Sequence, residues 1–156
     1  MLTENEFCAY AEKYIDTVYR VAFSMLKNPH DADDVTQDTF LKLYTYSGAF
    51  QSDAHARNWL IKVTVNGCKN QFRAKWRAHE DLDEYADTLG FESREQSELF
   101  SAVNSLEQKY RIVIHLHYYE GYSTKEIADI LGISENTVST RLHRARTKLK
   151  KLMTEV

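Results

Sequence analysis

The chain has 156 residues, 43% hydrophobic and 28% charged, a globular balance long enough for one ordinary domain or two small helical ones. Its formal net charge of −3 excludes a protein that coats nucleic acid by bulk positive charge, so any such contact has to come from local basic faces. The opening MLTENEFCAYAEKY has no signal-peptide core and no apolar run approaches the ~20 residues of a bilayer span, so a soluble, cytoplasmic chain is expected.

The first predicted element is a helix from Glu6 to Leu26, because Phe7, Ala11, Tyr14, Ile15, Val18, Ala22 and Met25 recur at the spacing of one buried helical face. Asn28-Pro29 ends it. A second helix starts within HDADDVTQDTFLKLYTY, with Asp31, Asp33 and Asp34 in its first turn, where negative charge suits the exposed N–H groups. Those three acids make a poor metal site, since a calcium loop needs further ligands and a Gly at fixed spacing. Residues 47–54 read as a loop. A third helix is expected from about Ala56 to about Ala78, with Arg57, Lys62, Lys69, Arg73, Lys75 and Arg77 in a stretch that contains no acid. Trp59, Phe72 and Trp76 are interleaved among them; Trp59 and Phe72 read as core residues before stacking ones.

Residues 80–98 reverse the charge, holding eight acids against Arg94 alone, and read as a mobile tether. Helical periodicity resumes at Leu99, Val103, Leu106, Tyr110, Val113 and Ile114. His115 and His117, two apart on a helix, point to different sides and do not suit a metal. Cys8 and Cys68 form no ligand cluster; isolated thiols fit a reduced compartment, although counting also admits one disulfide.

After Gly121 the pattern sharpens. Ser123 or Thr124 can cap a short helix, Gly132 supplies a turn, and Ser134 caps a second helix with Thr137 three residues on. Ala128 permits close approach, and Ile127, Leu131, Ile133, Val138 and Leu142 supply a small core. This is a helix-turn-helix, whose second helix enters a major groove. That helix is polar in its first half, suited to base edges, and basic in its second, suited to phosphates. The expected fold class is therefore all-α: two small helical domains, 1–78 and 99–156, joined by an acidic linker at 79–98.

LEQKYRIVIHLHYYEGYSTKEIADILGISENTVSTRLHRARTKLKK, from Leu106 to Lys151, resembles region four of extracytoplasmic-function (ECF) sigma factors. Glu107 departs from the family's usual Pro, and Ser139 from a commonly basic position. Upstream, DADDVTQDTFLKLY resembles region 2.2 and ARNWLIKVTVNGCKNQFR regions 2.3 and 2.4 of the same family. Two ordered matches are far more selective than a helix-turn-helix alone.

The resemblance implies a non-enzymatic promoter-recognition subunit with no cofactor and no metal. Its expected partners are core RNA polymerase (the largest-subunit clamp coiled coil and the flap), promoter DNA and an anti-sigma factor, without membrane insertion. Asp34, Gln37, Asp38, Leu41 and Lys42 would meet the polymerase. Asn66, Lys62, Lys69, Arg73, Lys75 and Arg77 would handle the −10 element, Asn66 sharing with the 48–55 loop a pocket for a flipped base. Ser139, Thr140, Arg141, His143, Arg144 and Arg146 would meet the −35 element. The rival reading is a helix-turn-helix regulator that never docks on polymerase. An enzyme is a weaker rival, since no P-loop, GxSxG, HExxH or dinucleotide fingerprint is present.

Overall fold

A computed structural model describes residues 1–75 and 94–154, all helix and connecting turn, and these fall into two compact units, Met1–Ala78 and His79–Val156. In the first unit, α1 (Glu4–Leu26) opens on a capping box in which the Thr3 side chain and the Glu6 side chain each accept a backbone N–H of the other residue. It ends at Lys27 in a left-handed conformation (φ 59°), whose N–H bonds back to the Phe23 carbonyl. Asn28 then caps α2 (Pro29–Tyr44), with Pro at the first helical position, where its missing N–H costs nothing. A turn over residues 45–52 leads to α3 (Asp53–Lys75). The helix thus begins three residues before the sequence pattern alone suggests.

These three helices all pack on one another around Val18, Val21, Ala22, Val35, Leu43, Leu60, Ile61 and Val65. Gly67 lets α3 approach α2 closely, since a Cβ there would stand 3.2 Å from Val35 Cγ1. Buried Thr36 and Thr64 satisfy their hydroxyls on the carbonyls of Ala32 and Leu60, one turn back, so they occupy core positions without an orphaned donor. Ile15 departs from expectation: it is 46% exposed, because Tyr14 beside it takes the core-facing position and adjacent residues are about 100° apart around a helix. Of the expected linker, residues 79–93 lie outside the described residues.

In the second unit, α4 (Arg94–Ser105) begins inside the stretch read as linker and is followed by α5 (Gln108–Ile114), a π-helical turn (His115–Tyr119), α6 (Thr124–Leu131) and α7 (Glu135–Thr154). The periodicity from Leu99 to Ile114 predicts one helix, but the backbone breaks after Ser105, with Glu107 extended (φ −59°, ψ 149°) ahead of α5. Helix α7 packs against α4, α5 and α6, burying Val138, Leu142 and Ala145 among Tyr110, Val113, Leu116 and Ile127. Arg111, also buried, donates to the Leu106 carbonyl at 2.6 Å and so closes the break; burial brings its guanidinium down to about 10.

Candidate nucleic-acid interface

The helix-turn-helix is set by its caps. Ser123 is the residue that caps α6, in a capping box with Glu126, and Gly132 ends the helix at φ 69°, a left-handed conformation that favours a residue without Cβ. Ser134 Oγ accepts the Thr137 N–H at 3.1 Å and so starts α7. Thr124 donates to Glu135 at 3.0 Å, tying the beginnings of the two helices.

With Val138, Leu142 and Ala145 inward, the opposite face of α7 carries Asn136, Thr140, His143, Arg144 and Thr147, all exposed. Ser139 and Arg146 are exposed on one flank, and Arg141 is half-buried on the other. Thr140, His143 and Arg144 are therefore the expected residues that point outward along the centre of the helix. Arg146 Nη1 donates to Tyr118 Oη at 2.8 Å, which holds the guanidinium at the flank. Asn136 escapes the sequence-derived set although it lies one turn before Thr140 on the same face, a spacing that could have found it.

On α3, Trp59, Lys62, Asn66, Lys69 and Arg73 fall within a sector of about 80°. Asn66, Lys69 and Arg73 are exposed and Lys62 is half-buried; the Lys75 side chain and all of Arg77 lie outside the described residues, as do the Phe72 side chain and Trp76. Trp59 packs on the core from its edge and carries the preceding loop: Tyr46 and Phe50 stack at 4.6 Å and meet the indole at 4.8 and 5.7 Å. The loop thereby lies against α3 two turns, about 10 Å, before Asn66 and on the same side.

The start of α3 is anchored to α1. Asp53 accepts a bond from Lys13 Nζ at 2.8 Å and a short one from the Tyr14 hydroxyl. These bonds hold the Asp53 carboxyl below its ordinary value, the Lys13 bond most of all. Burial, reinforced by Asp53, pushes the Tyr14 phenol up to about 12.

On α2, Asp34, Gln37, Asp38, Leu41 and Lys42 are all exposed and follow one another along a single face. Leu41 is 63% exposed and Tyr44 is 56% exposed, with Phe7 of α1 edge-on to Tyr44 at 5.4 Å. His115 and His117 have separate partners, as their spacing implies: His115 Nε2 donates to Glu120 at 2.7 Å, and His117 bonds the Tyr122 carbonyl at 2.8 Å. Cys8 and Cys68 are both free thiols. Among the described residues no helix is long and apolar enough to cross a membrane.

The model for Sigma-70 region 2 matches residues 10–78, and that for Sigma-70, region 4 matches residues 96–149. The RNA polymerase sigma factor SigV of Bacillus subtilis is 32% identical over 81% of this chain and 78% of its own length. The ECF RNA polymerase sigma factor SigM of Mycobacterium tuberculosis is 30% identical over 87% of this chain and 71% of its own. SigE of Mycolicibacterium smegmatis, another ECF factor, is 31% identical over 88% of this chain, which spans only 58% of SigE. Among solved structures, CnrH in complex with the cytosolic domain of CnrY is 28% identical with a TM-score of 0.73, covering 98% of this chain and 90% of CnrH. The sigma factor RpoE of Bartonella quintana, in complex with the anti-sigma factor NepR, shares the fold at 22% identity and a TM-score of 0.77, covering 96% of this chain and 97% of RpoE.

Proposed function

The chain belongs to the sigma-70 family, with ECF sigma factors among its relatives, and from that premise we propose how its two units divide promoter recognition. Residues 1–78 dock on core RNA polymerase and open the −10 element, and the second unit, from α4 onward, reads the −35 element. The observation that carries this reading is the polar outer face of α7, set opposite its buried seam in the same chain as the basic stripe of α3.

Helix α7 enters the major groove of the −35 duplex. Thr140, His143 and Arg144 face base edges, while Ser139, Arg141 and Arg146 work from the flanks on adjacent phosphates. One bidentate Arg–guanine contact supplies roughly 1–3 kcal/mol of discrimination. In the −10 element the duplex opens, and Lys62, Lys69 and Arg73 hold the backbone of the exposed strand, with Lys75 and Arg77 continuing their run. Asn66 offers both a donor and an acceptor to an unpaired base, between the loop packed on Trp59 and the basic stripe. Trp59 itself supports that loop.

Asp34, Gln37, Asp38 and Lys42 surround Leu41 with polar groups that suit docking on the clamp coiled coil of the largest subunit, and the second unit engages the flap. The subunit contributes recognition and strand capture, has no catalytic site of its own, and works in the cytoplasm. An anti-sigma factor is the expected inhibitory partner, by likeness to the solved complexes.

In vitro transcription with core bacterial RNA polymerase, with and without this chain, tests the reading. Start sites that depend on the chain, with two shared upstream elements, support it. Specific duplex binding without initiation would move the assignment to a regulator that does not dock.

A further inference from the structure

Beside α7 lies a cleft of about 360 Å³, walled on one side by Lys109 and Tyr110 at the start of α5 and on the other by Asn136, Thr140, Arg141 and Arg144. Its lining holds three cations and no acid. Among the described residues neither Arg141 nor Arg144 is paired with a carboxylate. One acid stands just outside: Glu107 reaches Lys109 Nζ at 3.7 Å and Lys148 Nζ at 3.5 Å. Both ammonium groups lie over the Tyr110 ring, 5.2 and 4.9 Å from its centroid.

We propose that this cleft seats a backbone phosphate of the promoter duplex, with Lys109 supplying a cation from outside the helix-turn-helix and Glu107 competing for it. The inference rests on α7 being the helix that enters the major groove. A phosphodiester is a compact monoanion with several acceptor oxygens. Lys109 and Arg141 match its charge and the Asn136 amide adds a neutral donor, while Thr140 and Arg144 at the same cleft stay available to base edges. The two Glu107 ion pairs are long, and their side chains are about half exposed, so solvent screens them. A phosphate can displace Glu107 from Lys109 at little cost, yet the nearby acid still subtracts from the attraction. Glu107 thus sets how tightly the −35 duplex is held without touching a base.

The test uses holoenzyme reconstituted from core bacterial RNA polymerase and the full chain. Its affinity is titrated from about 50 to 200 mM salt on a promoter duplex at which it initiates. Lys109 is exposed, so K109A keeps the fold. Losing one phosphate contact reduces the slope of log affinity on log salt by about 0.9, so the unmodified holoenzyme should lose about 3.5-fold more affinity than K109A across that range. E107Q should bind more tightly at low salt, and the gain should shrink in the E107Q/K109A double variant. An unchanged slope in K109A, with R144A still weakening binding, overturns the phosphate seat and leaves the assignment of α7 intact. If R144A and K109A both bind like the unmodified chain, the assignment of α7 falls and the seat with it. An E107Q variant no tighter than the parent overturns the competition.

Discussion

Leu41 and Leu43 lie two residues apart on α2, yet the first is 63% exposed and the second fully buried, so the pair can separate docking from folding. In the free chain Leu41→Ala removes a side chain mostly in water and should change stability by less than about 0.5 kcal/mol. Leu43→Ala opens a hole in the first unit and should cost about 2–5 kcal/mol. On polymerase the ordering reverses. Complete burial of a leucine side chain is worth roughly 1.5–3 kcal/mol, so covering the exposed 63% of Leu41 contributes about 1–2 kcal/mol, or about 5- to 30-fold in Kd.

The assay is displacement of a fluorescent parent chain from core polymerase by each variant, alongside thermal unfolding of the same preparations. L41A should unfold with the parent and compete about 5- to 30-fold less well. If it competes as well as the parent, this face of α2 does not meet the polymerase, and the docking assignment of Asp34, Gln37, Asp38 and Lys42 fails with it.

Other expectations follow from single features. Gly132→Ala should loosen the second unit by roughly 1 kcal/mol, because φ is +69° while the added Cβ would meet nothing within 4 Å, so the cost is torsional; Asn should recover part of it. Hydrogen exchange of the α6 and α7 amides reads this directly. Asp53 titrates below its ordinary value in the folded chain, so its bonds to Lys13 and Tyr14 stabilise the first unit above the unfolded carboxyl pKa of about 3.9 and are lost as the pH falls through the lower folded value. Acid unfolding of Asp53→Asn should therefore lack that part of the pH dependence, and an unchanged profile would count against Asp53 anchoring α3 to α1. Asn66→Ala should alter preference at one −10 position with the salt slope unchanged. Lys69→Ala should weaken all promoters alike and lower the slope by about 1. A promoter library transcribed at two salt concentrations distinguishes them.

What could be read from the residues depended on whether a local group announces the backbone. Asn28-Pro29, the Ser123 and Ser134 caps and Gly132 all impose local geometry, and the helices next to them were accordingly predictable. The break at Leu106-Glu107 has no such signal. Neither Gly nor Pro marks it, and its cap makes no side-chain hydrogen bond; it is held by buried Arg111 reaching the Leu106 carbonyl. The π-helical turn at 115–119 is equally silent in the pattern, and its His115–Glu120 bond exists only once the turn has formed. The same distinction holds at the interface. Asn136 was readable by counting one turn back from Thr140, whereas Lys109 enters from another helix and could be found only after packing brought α5 beside α7.

Charge placement explains why such a chain should need polymerase to find a promoter. Its net charge is −3, with eight acids between residues 80 and 98, so the basic faces of α3 and α7 sit in a molecule without long-range attraction for DNA. At physiological salt charges act over about 8 Å, so each stripe attracts only the duplex already beside it. Each reader also presents few cations, and few phosphate contacts give weak binding. Held together on one polymerase, the two readers meet the same promoter at high effective concentration, and their modest affinities combine without any new contact. A docking face, proposed here around Leu41, would therefore do more than attach a subunit. It converts two weak local readers into one selective contact, so a loss of polymerase affinity should cost promoter recognition at both elements together.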